Sequence, residues 1–192
     1  MIYWAHSPAR EGAPPEALEW HLRRTAALAR RFAQAFRAGH WGAAAGLLHD
    51  IGKYTEPFQN YIQNGGPRTE HSTAGAMEAR RLYGDVLGLL LAYGIAGHHA
   101  GLPDGGSKDD RALLSRLKSR GIPQGYGRWE AEFRSKGIGC PAPDLLMKEV
   151  LAVLGGAQND RFAVAFFARM VFSALVDADF LATEWFLDRG KG

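Results

Sequence analysis

Cysteine is almost absent: the 192 residues hold one, Cys140. That excludes a disulfide within the chain and any cysteine-rich zinc module, and it fits a reducing compartment. Long apolar runs are missing too. The longest, around Val86 to Ala96, is interrupted by glycines and too short to span a bilayer, so no membrane partner is expected. The first residues, Met1-Ile2-Tyr3-Trp4-Ala5-His6, lack a charged region followed by an apolar stretch, so no signal peptide is read there. The expectation is a cytoplasmic protein. Alternating apolar and polar residues, the mark of strands, do not occur. Nor does a Gly-x-x-x-x-Gly-Lys-Ser/Thr stretch, which rules out a P-loop for ATP. There is no internal repeat and no low-complexity tract. Excess charge of one sign is also small. The formal net charge of +3 is compatible with a polyanionic partner but marks no nucleic-acid surface by itself.

What the chain does have is helical periodicity. At this length one domain with a substantial core is expected, and the reading is an all-α, single-domain helical bundle over 1–192. Leu18, Leu22, Thr25, Leu28, Ala29, Phe32 and Phe36 form one stripe with His21 on the same inward face, and Gly39 closes this first helix. A second, apolar helix runs from His40 to Ile51. Gly52 is expected to end it in a left-handed conformation. Thr55 then caps a short helix with Pro57 in its first turn, ending near Asn64-Gly65-Gly66-Pro67. Ser72 caps a helix to Tyr83, ended by Gly84. Asp85 opens a largely apolar helix that delivers His98 and His99 at its end. Asp109 to Ser119 is a short polar helix. Residues 120 to 143, rich in Gly and Pro, read as an extended, mobile surface segment. Leu145 to Leu154 is helical. A long last helix follows, with Phe162, Phe166, Val171, Phe172, Leu175, Val176, Phe180 and Leu181 as core.

Histidine carries the chemistry. In Leu47-Leu48-His49-Asp50-Ile51-Gly52-Lys53 an adjacent His and Asp end an apolar helix close to the core. A buried charge is costly there unless it is paired or bound to a metal. His21, His49-Asp50, His71 and His98-His99 are separated by 28, 22 and 27 residues, about one helix and loop apart, so several helices can point into one cavity. Imidazole and carboxylate together suit Mn, Fe, Co or Ni, with Zn also allowed, and a carboxylate can bridge two ions. The set is too rich in His for a site that binds only Mg. Asp177 and Asp179 compete for a last ligand position. They lie about 200° apart on a helix and cannot serve one site. Asp179 shares its face with Leu175, Phe172 and Ala168 and is the expected ligand.

In order along the chain stand Trp4-Ala5-His6-Ser7, Trp20-His21-Leu22, Leu48-His49-Asp50-Ile51-Gly52-Lys53, Glu70-His71-Ser72, Gly97-His98-His99-Ala100-Gly101-Leu102-Pro103 and Ser173-Ala174-Leu175-Val176-Asp177-Ala178-Asp179-Phe180. With these the chain resembles an HD-superfamily metal phosphohydrolase. More narrowly it resembles the HD nuclease domain of the CRISPR-associated type I helicase–nuclease, which also occurs as a separate polypeptide. The His-Asp-x-Gly-Lys piece is general to the superfamily. Glu-His-Ser followed by His-His-Ala-Gly-Leu-Pro is the specific part. The resemblance implies cleavage of single-stranded DNA at a centre of usually two divalent ions. His21, His49, Asp50 and Asp179 would hold one ion. Asp50, His71, His98 and His99 would hold the other, with Asp50 bridging. Lys53 would stand near the scissile phosphate, adding positive charge there. The implied partners are a helicase, as a separate chain or a missing C-terminal part, and an RNA-guided surveillance complex that exposes single-stranded DNA.

The segment of about 105–143 offers a substrate contact. It holds eight basic residues (Lys108, Arg111, Arg116, Lys118, Arg120, Arg128, Arg134 and Lys136) against four acidic ones, a local surplus of +4. Tyr126, Trp129 and Phe133 are interleaved with them. Basic residues along a backbone and aromatics under bases make a single-strand site, with Arg128 and Trp129 as the named candidates. The bland alternative is a segment whose aromatics pack inward and whose charges are solvated. Two other functions compete. One is an HD nucleotide or cyclic-dinucleotide phosphohydrolase, although a mononuclear one needs neither His71, His98 nor His99. The other is a docking module without turnover, which a missing ligand would betray.

Overall fold

The computed structural model describes residues 2–106, 112–119, 127–157 and 160–189. Lys108, Arg111, Arg120 and Tyr126 of the proposed substrate segment lie outside the described residues. Within them the protein is all-α apart from one small ladder. The order is β1 (Trp4–His6), β2 (Glu16–Ala17), α1 (Leu18–Gln34), α2 (Gly39–Leu48), a 3-10 turn (Ile51–Tyr54) and α3 (Glu56–Asn64). Then come α4 (Ser72–Gly97), α5 (Leu113–Ser119), α6 (Arg128–Ser135), α7 (Pro143–Leu154) and α8 (Arg161–Arg189). The ladder corrects the expectation of no strands. It is antiparallel, with Trp4 opposite Ala17 and His6 opposite Glu16. Strands this short are below the length at which alternation can be read.

Helices α1 and α2 pack closely because their seam is made of the smallest residues. A Cβ on Gly42 would stand 2.3 Å from the Ala29 carbonyl oxygen, and one on Gly46 would stand 2.5 Å from the Ala26 Cα. Ala26, Ala29 and Ala33 line the α1 side, and all are buried. This approach brings His21 of α1 against His49 at the end of α2. Helix α1 ends differently from the sequence reading. Arg37, with φ 60°, takes the left-handed position, and Gly39 instead opens α2.

Helix α4 spans 26 residues, which would be about 39 Å if straight. Its two ends nevertheless meet. Gly84, at φ 73° and ψ −169°, breaks it and folds the second half back. At that φ a Cβ is disfavoured, and glycine is the natural occupant. His71 at the N-terminal cap and His98 at the C-terminal cap therefore face one cleft. The cap lies one residue earlier than expected. His71, not Ser72, occupies it, and the Glu70 carboxylate accepts the Thr73 amide at 2.9 Å.

Gly52 does not adopt the left-handed conformation assigned to it. It sits inside the 3-10 turn and is required by crowding: a Cβ there would be 2.0 Å from the His71 carbonyl oxygen. Gly52→Ala must push away the backbone that carries His71. The expected cost is about 3 kcal/mol, at the top of the usual overpacking range. Urea denaturation of the metal-free protein measures it, and a loss below about 0.5 kcal/mol would contradict this packing.

Two further expectations are corrected. The segment 120 to 143 is not all extended, since α6 lies within it and buries Trp129 and Phe133 against each other, ring centroids 5.1 Å apart. Their i, i+4 spacing makes one helical face. In α8, Phe167, Val171, Ala174, Leu175, Ala178 and Ala182 form the buried side. Phe162, Phe166, Phe180 and Leu181, expected in the core, are exposed, Phe162 by 77%. They lie on the sides of the helix turned from α1, α2 and α4. No helix among the described residues is long and apolar enough to cross a membrane.

Candidate metal centre

Five elements converge on one carboxylate. Asp50 follows α2 with φ −115° and ψ 15°, in the sparsely populated bridge region, and is fully buried. Its two oxygens face different partners. Oδ2 lies 3.3 Å from His49 Nε2 and 3.6 Å from His21 Nε2. Oδ1 lies 3.1 Å from His71 Nε2, 3.4 Å from His98 Nε2 and 4.0 Å from His99 Nε2. Asp179 reaches in from α8, with Oδ1 3.1 Å from His21 Nε2 and 3.5 Å from His49 Nε2. Asp177 is exposed on the same helix. Two groups of donor atoms result, each within metal-ligating reach: His21, His49, Asp50 and Asp179, and then Asp50, His71, His98 and His99.

The ring orientations suit a cation. His49 Nδ1 donates to the Gly46 carbonyl at 2.9 Å, and His98 Nδ1 to that of Ile95 at 2.6 Å. Both carbonyls are left free near a helix C-terminus. Each bond leaves Nε2 turned inward. Among the described residues, both Asp50 oxygens and His98 Nε2 are buried without a hydrogen bond of good geometry. Buried polar atoms left in that state call for a ligand. Imidazole with carboxylate fits divalent transition metals.

The electrostatics agree. Burial opposes charge on Asp50, but Lys53, His49 and His71 outweigh it and hold the carboxyl well below its usual range. Burial would also raise Asp179, yet its hydrogen bonds with His21 and His49 hold it low. Burial alone would lower His49, but Asp50 and Asp179 lift it to about 10. Burial, with His98 alongside, lowers His99 to about 4, so its imidazole is neutral at pH 7.

These shifts give a pH dependence with a definite sign. In the metal-free protein the depressed Asp50 and Asp179 stabilise the fold above their ordinary value of 3.8, and that contribution is lost as pH falls. The raised His49 stabilises it fully below 6.5, and that contribution is lost as pH rises through about 10. An ion needs the unprotonated ring, so binding expels the His49 proton and tightens with pH. The rise in melting temperature caused by a fixed concentration of Mn or Ni should therefore grow from pH 6 to pH 9. A constant rise would exclude His49 as a ligand.

Lys53 is buried, not solvated. Its ammonium lies 2.7 Å from Asp50 Oδ2 and donates to the Ala5 carbonyl at 3.2 Å. It is thus directed at the central carboxylate. His99 is different: its side chain is 49% exposed, so the cleft opens on the side of the second group. Arg116 of α5 braces that side. Its guanidinium donates to the Ala96 carbonyl at 2.8 Å, Glu70 Oε1 at 3.0 Å and Thr73 Oγ1 at 2.8 Å, which ties the two ends of α4 together.

The proposed substrate pair divides. Arg128 is exposed, bound to Glu56 at 2.8 Å and to the Tyr3 hydroxyl at 3.2 Å. Trp129 is 5% exposed, so its ring is not available as a stacking platform. Helix formation around it, unread in a Gly- and Pro-rich stretch, is the reason. His40, outside both groups, pairs with Glu149 at 2.7 Å. In the sequence Arg116 counted only among the basic residues of the substrate segment, and Glu16 was missed. Glu16 Oε2 lies 3.4 Å from His21 Nδ1 and 2.7 Å from His6 Nδ1. Only a pairing of β1 with β2 announces that contact, and neither strand was visible in the sequence.

The HD domain family matches residues 19–123, more than half of the chain. The matched stretch contains every ligand candidate except Asp179. No curated protein matches.

Proposed function

Because the chain belongs to the HD domain family, whose members are generally metal-dependent hydrolases, we propose that it is a two-metal nuclease for single-stranded DNA. One observation carries this reading. The two oxygens of Asp50 address two separate ligand groups, an arrangement a mononuclear nucleotide hydrolase does not need. The Glu70-His71-Ser72 and His98-His99-Ala100-Gly101-Leu102-Pro103 pieces narrow it toward the nuclease of CRISPR type I interference. In that setting a helicase and an RNA-guided surveillance complex supply the displaced strand.

When bound, the ions supply a nucleophilic water at neutral pH and Lewis-acid stabilisation of the attacking and leaving oxygens. The protein supplies position and charge. His21, His49 and Asp179 would hold an inner ion together with Asp50, from rigid helices. His71, His98 and His99 would hold an outer one on the side where the cleft is open. Lys53 holds the shared carboxylate of Asp50 from behind. Its third N–H is left for any contact with a phosphate oxygen.

The test is cleavage of circular single-stranded DNA by stripped protein given Mn, Fe, Co, Ni, Mg or Zn in turn. Opening of the circle supports the proposal and marks an endonuclease; digestion of linear strands alone leaves a nuclease that works from ends. Hydrolysis of nucleotides or cyclic dinucleotides with DNA untouched would replace the proposed substrate. No bound ion and no turnover would leave a docking module.

A further inference from the structure

We infer that Glu16 is a positioning residue for His21: its carboxylate holds the ring so that Nε2 faces the metal centre, and His6 holds Glu16 in turn. The inference rests on the metal reading proposed above and extends it beyond the ligands themselves.

His21 stands apart from the other buried histidines. His49 and His98 each orient themselves on a carbonyl three residues back, near a helix C-terminus. His21 is the fourth residue of α1. The carbonyl three residues before it belongs to Leu18, and within a helix that oxygen is taken by the amide of residue 22. His21 therefore needs an acceptor from elsewhere. It is fully buried, and among the described residues its Nδ1 has no hydrogen-bond partner of good geometry. The nearest acceptor is Glu16 Oε2, at 3.4 Å. That is long for a hydrogen bond but within ion-pair reach, and Asp179 Oδ1 lies 3.1 Å from Nε2, the ring's other nitrogen.

Glu16 is itself placed. The β1–β2 register sets it opposite His6, whose Nδ1 lies 2.7 Å from Oε2. Arg24 approaches Oε1 at 3.5 Å. His6, Glu16 and His21 also lie close enough together to hold an ion of their own. Two cations argue against it. Arg24 already compensates Glu16, and Lys53 lies near enough to His6 to oppose further positive charge. Carboxylates behind ligating histidines orient the ring and raise its donor strength, and their loss typically costs 10–100-fold in affinity, as a general order of magnitude.

The experiment is calorimetric titration of the stripped full chain with Mn(II), comparing wild type, Glu16→Leu, Glu16→Gln and His6→Phe, with melting curves on each. Glu16→Leu should weaken one ion roughly 10–100-fold and leave the other unchanged. Glu16→Gln keeps an acceptor oxygen but not the charge, and should lose clearly less affinity than Glu16→Leu. His6→Phe removes only the support and should fall between them. It carries the test if Glu16→Leu does not fold. Unchanged affinity in folded Glu16→Leu or His6→Phe overturns the inference alone. So does a Gln variant as weak as Leu, or a third ion lost with Glu16. A wild-type protein that binds no divalent ion overturns both this inference and the proposed metal chemistry.

Discussion

Asp50→Asn should fold and yet lose metal-dependent cleavage by about 10³-fold or more, the several kcal/mol that bound ions contribute at ~1.4 kcal/mol per decade. The substitution keeps the shape of the side chain. It removes the charge and converts one oxygen to an amide nitrogen, a donor that cannot ligate. Since Oδ1 and Oδ2 face different histidine groups, either orientation of the amide spoils one of them. Ion content by mass spectrometry should fall with activity. The melting temperature of the metal-free form should fall as well, since a neutral amide balances the buried Lys53 ammonium less than the carboxylate does, while the protein stays folded at the assay temperature. A variant that retained its ions and cut within tenfold of wild type would remove Asp50 from the centre.

Lys53→Met should be the more damaging change for the fold. Lys53 and Asp50 are both buried and 2.7 Å apart, and breaking such a pair from one side costs ~3–5 kcal/mol. The lower figure is expected, since His49 and His71 also face Asp50. Bound metal should reverse most of the loss by supplying the missing positive charge. The gain in melting temperature on adding Mn should therefore be larger for the variant than for wild type. Equal gains would mean that Lys53 does not balance Asp50. At saturating metal the same variant separates two roles. Cleavage within about tenfold assigns Lys53 to Asp50, whereas a further fall of about 10²-fold assigns it to the phosphate.

The ligand candidates were legible because they come as neighbours on helix ends. His49-Asp50 and His98-His99 each put two donors at a C-terminus, and the face shared with Leu175 and Phe172 distinguished Asp179 from Asp177. The Gly84 break was legible as punctuation. That it folds α4 back on itself was not, because a glycine marks where a helix stops and not where the chain goes next. That Lys53 is buried against Asp50 was not legible, because its burial depends on the Ala5 carbonyl of β1, 48 residues away. Trp129 and Phe133 carried a helical spacing that the surrounding Gly and Pro obscured. The exposed Phe162 and Phe180 show the converse: where apolar residues spread over most of a helix's sides, the pattern does not reveal which of them its neighbours cover.

Burial of the two ligand groups is graded, and that grading has a kinetic consequence. His21 and His49 are fully enclosed, while the His99 side chain is half open to water. On the two-metal reading proposed above, an ion in the outer group would exchange by stepwise hydration at the rim. One in the inner group would leave more slowly, through local opening of the surrounding helices. Two-step loading, first with one metal and then with another after brief chelation, should then give a mixed-metal protein that persists. An inner metal would record the conditions under which the chain folded, and an outer one the conditions in which it works.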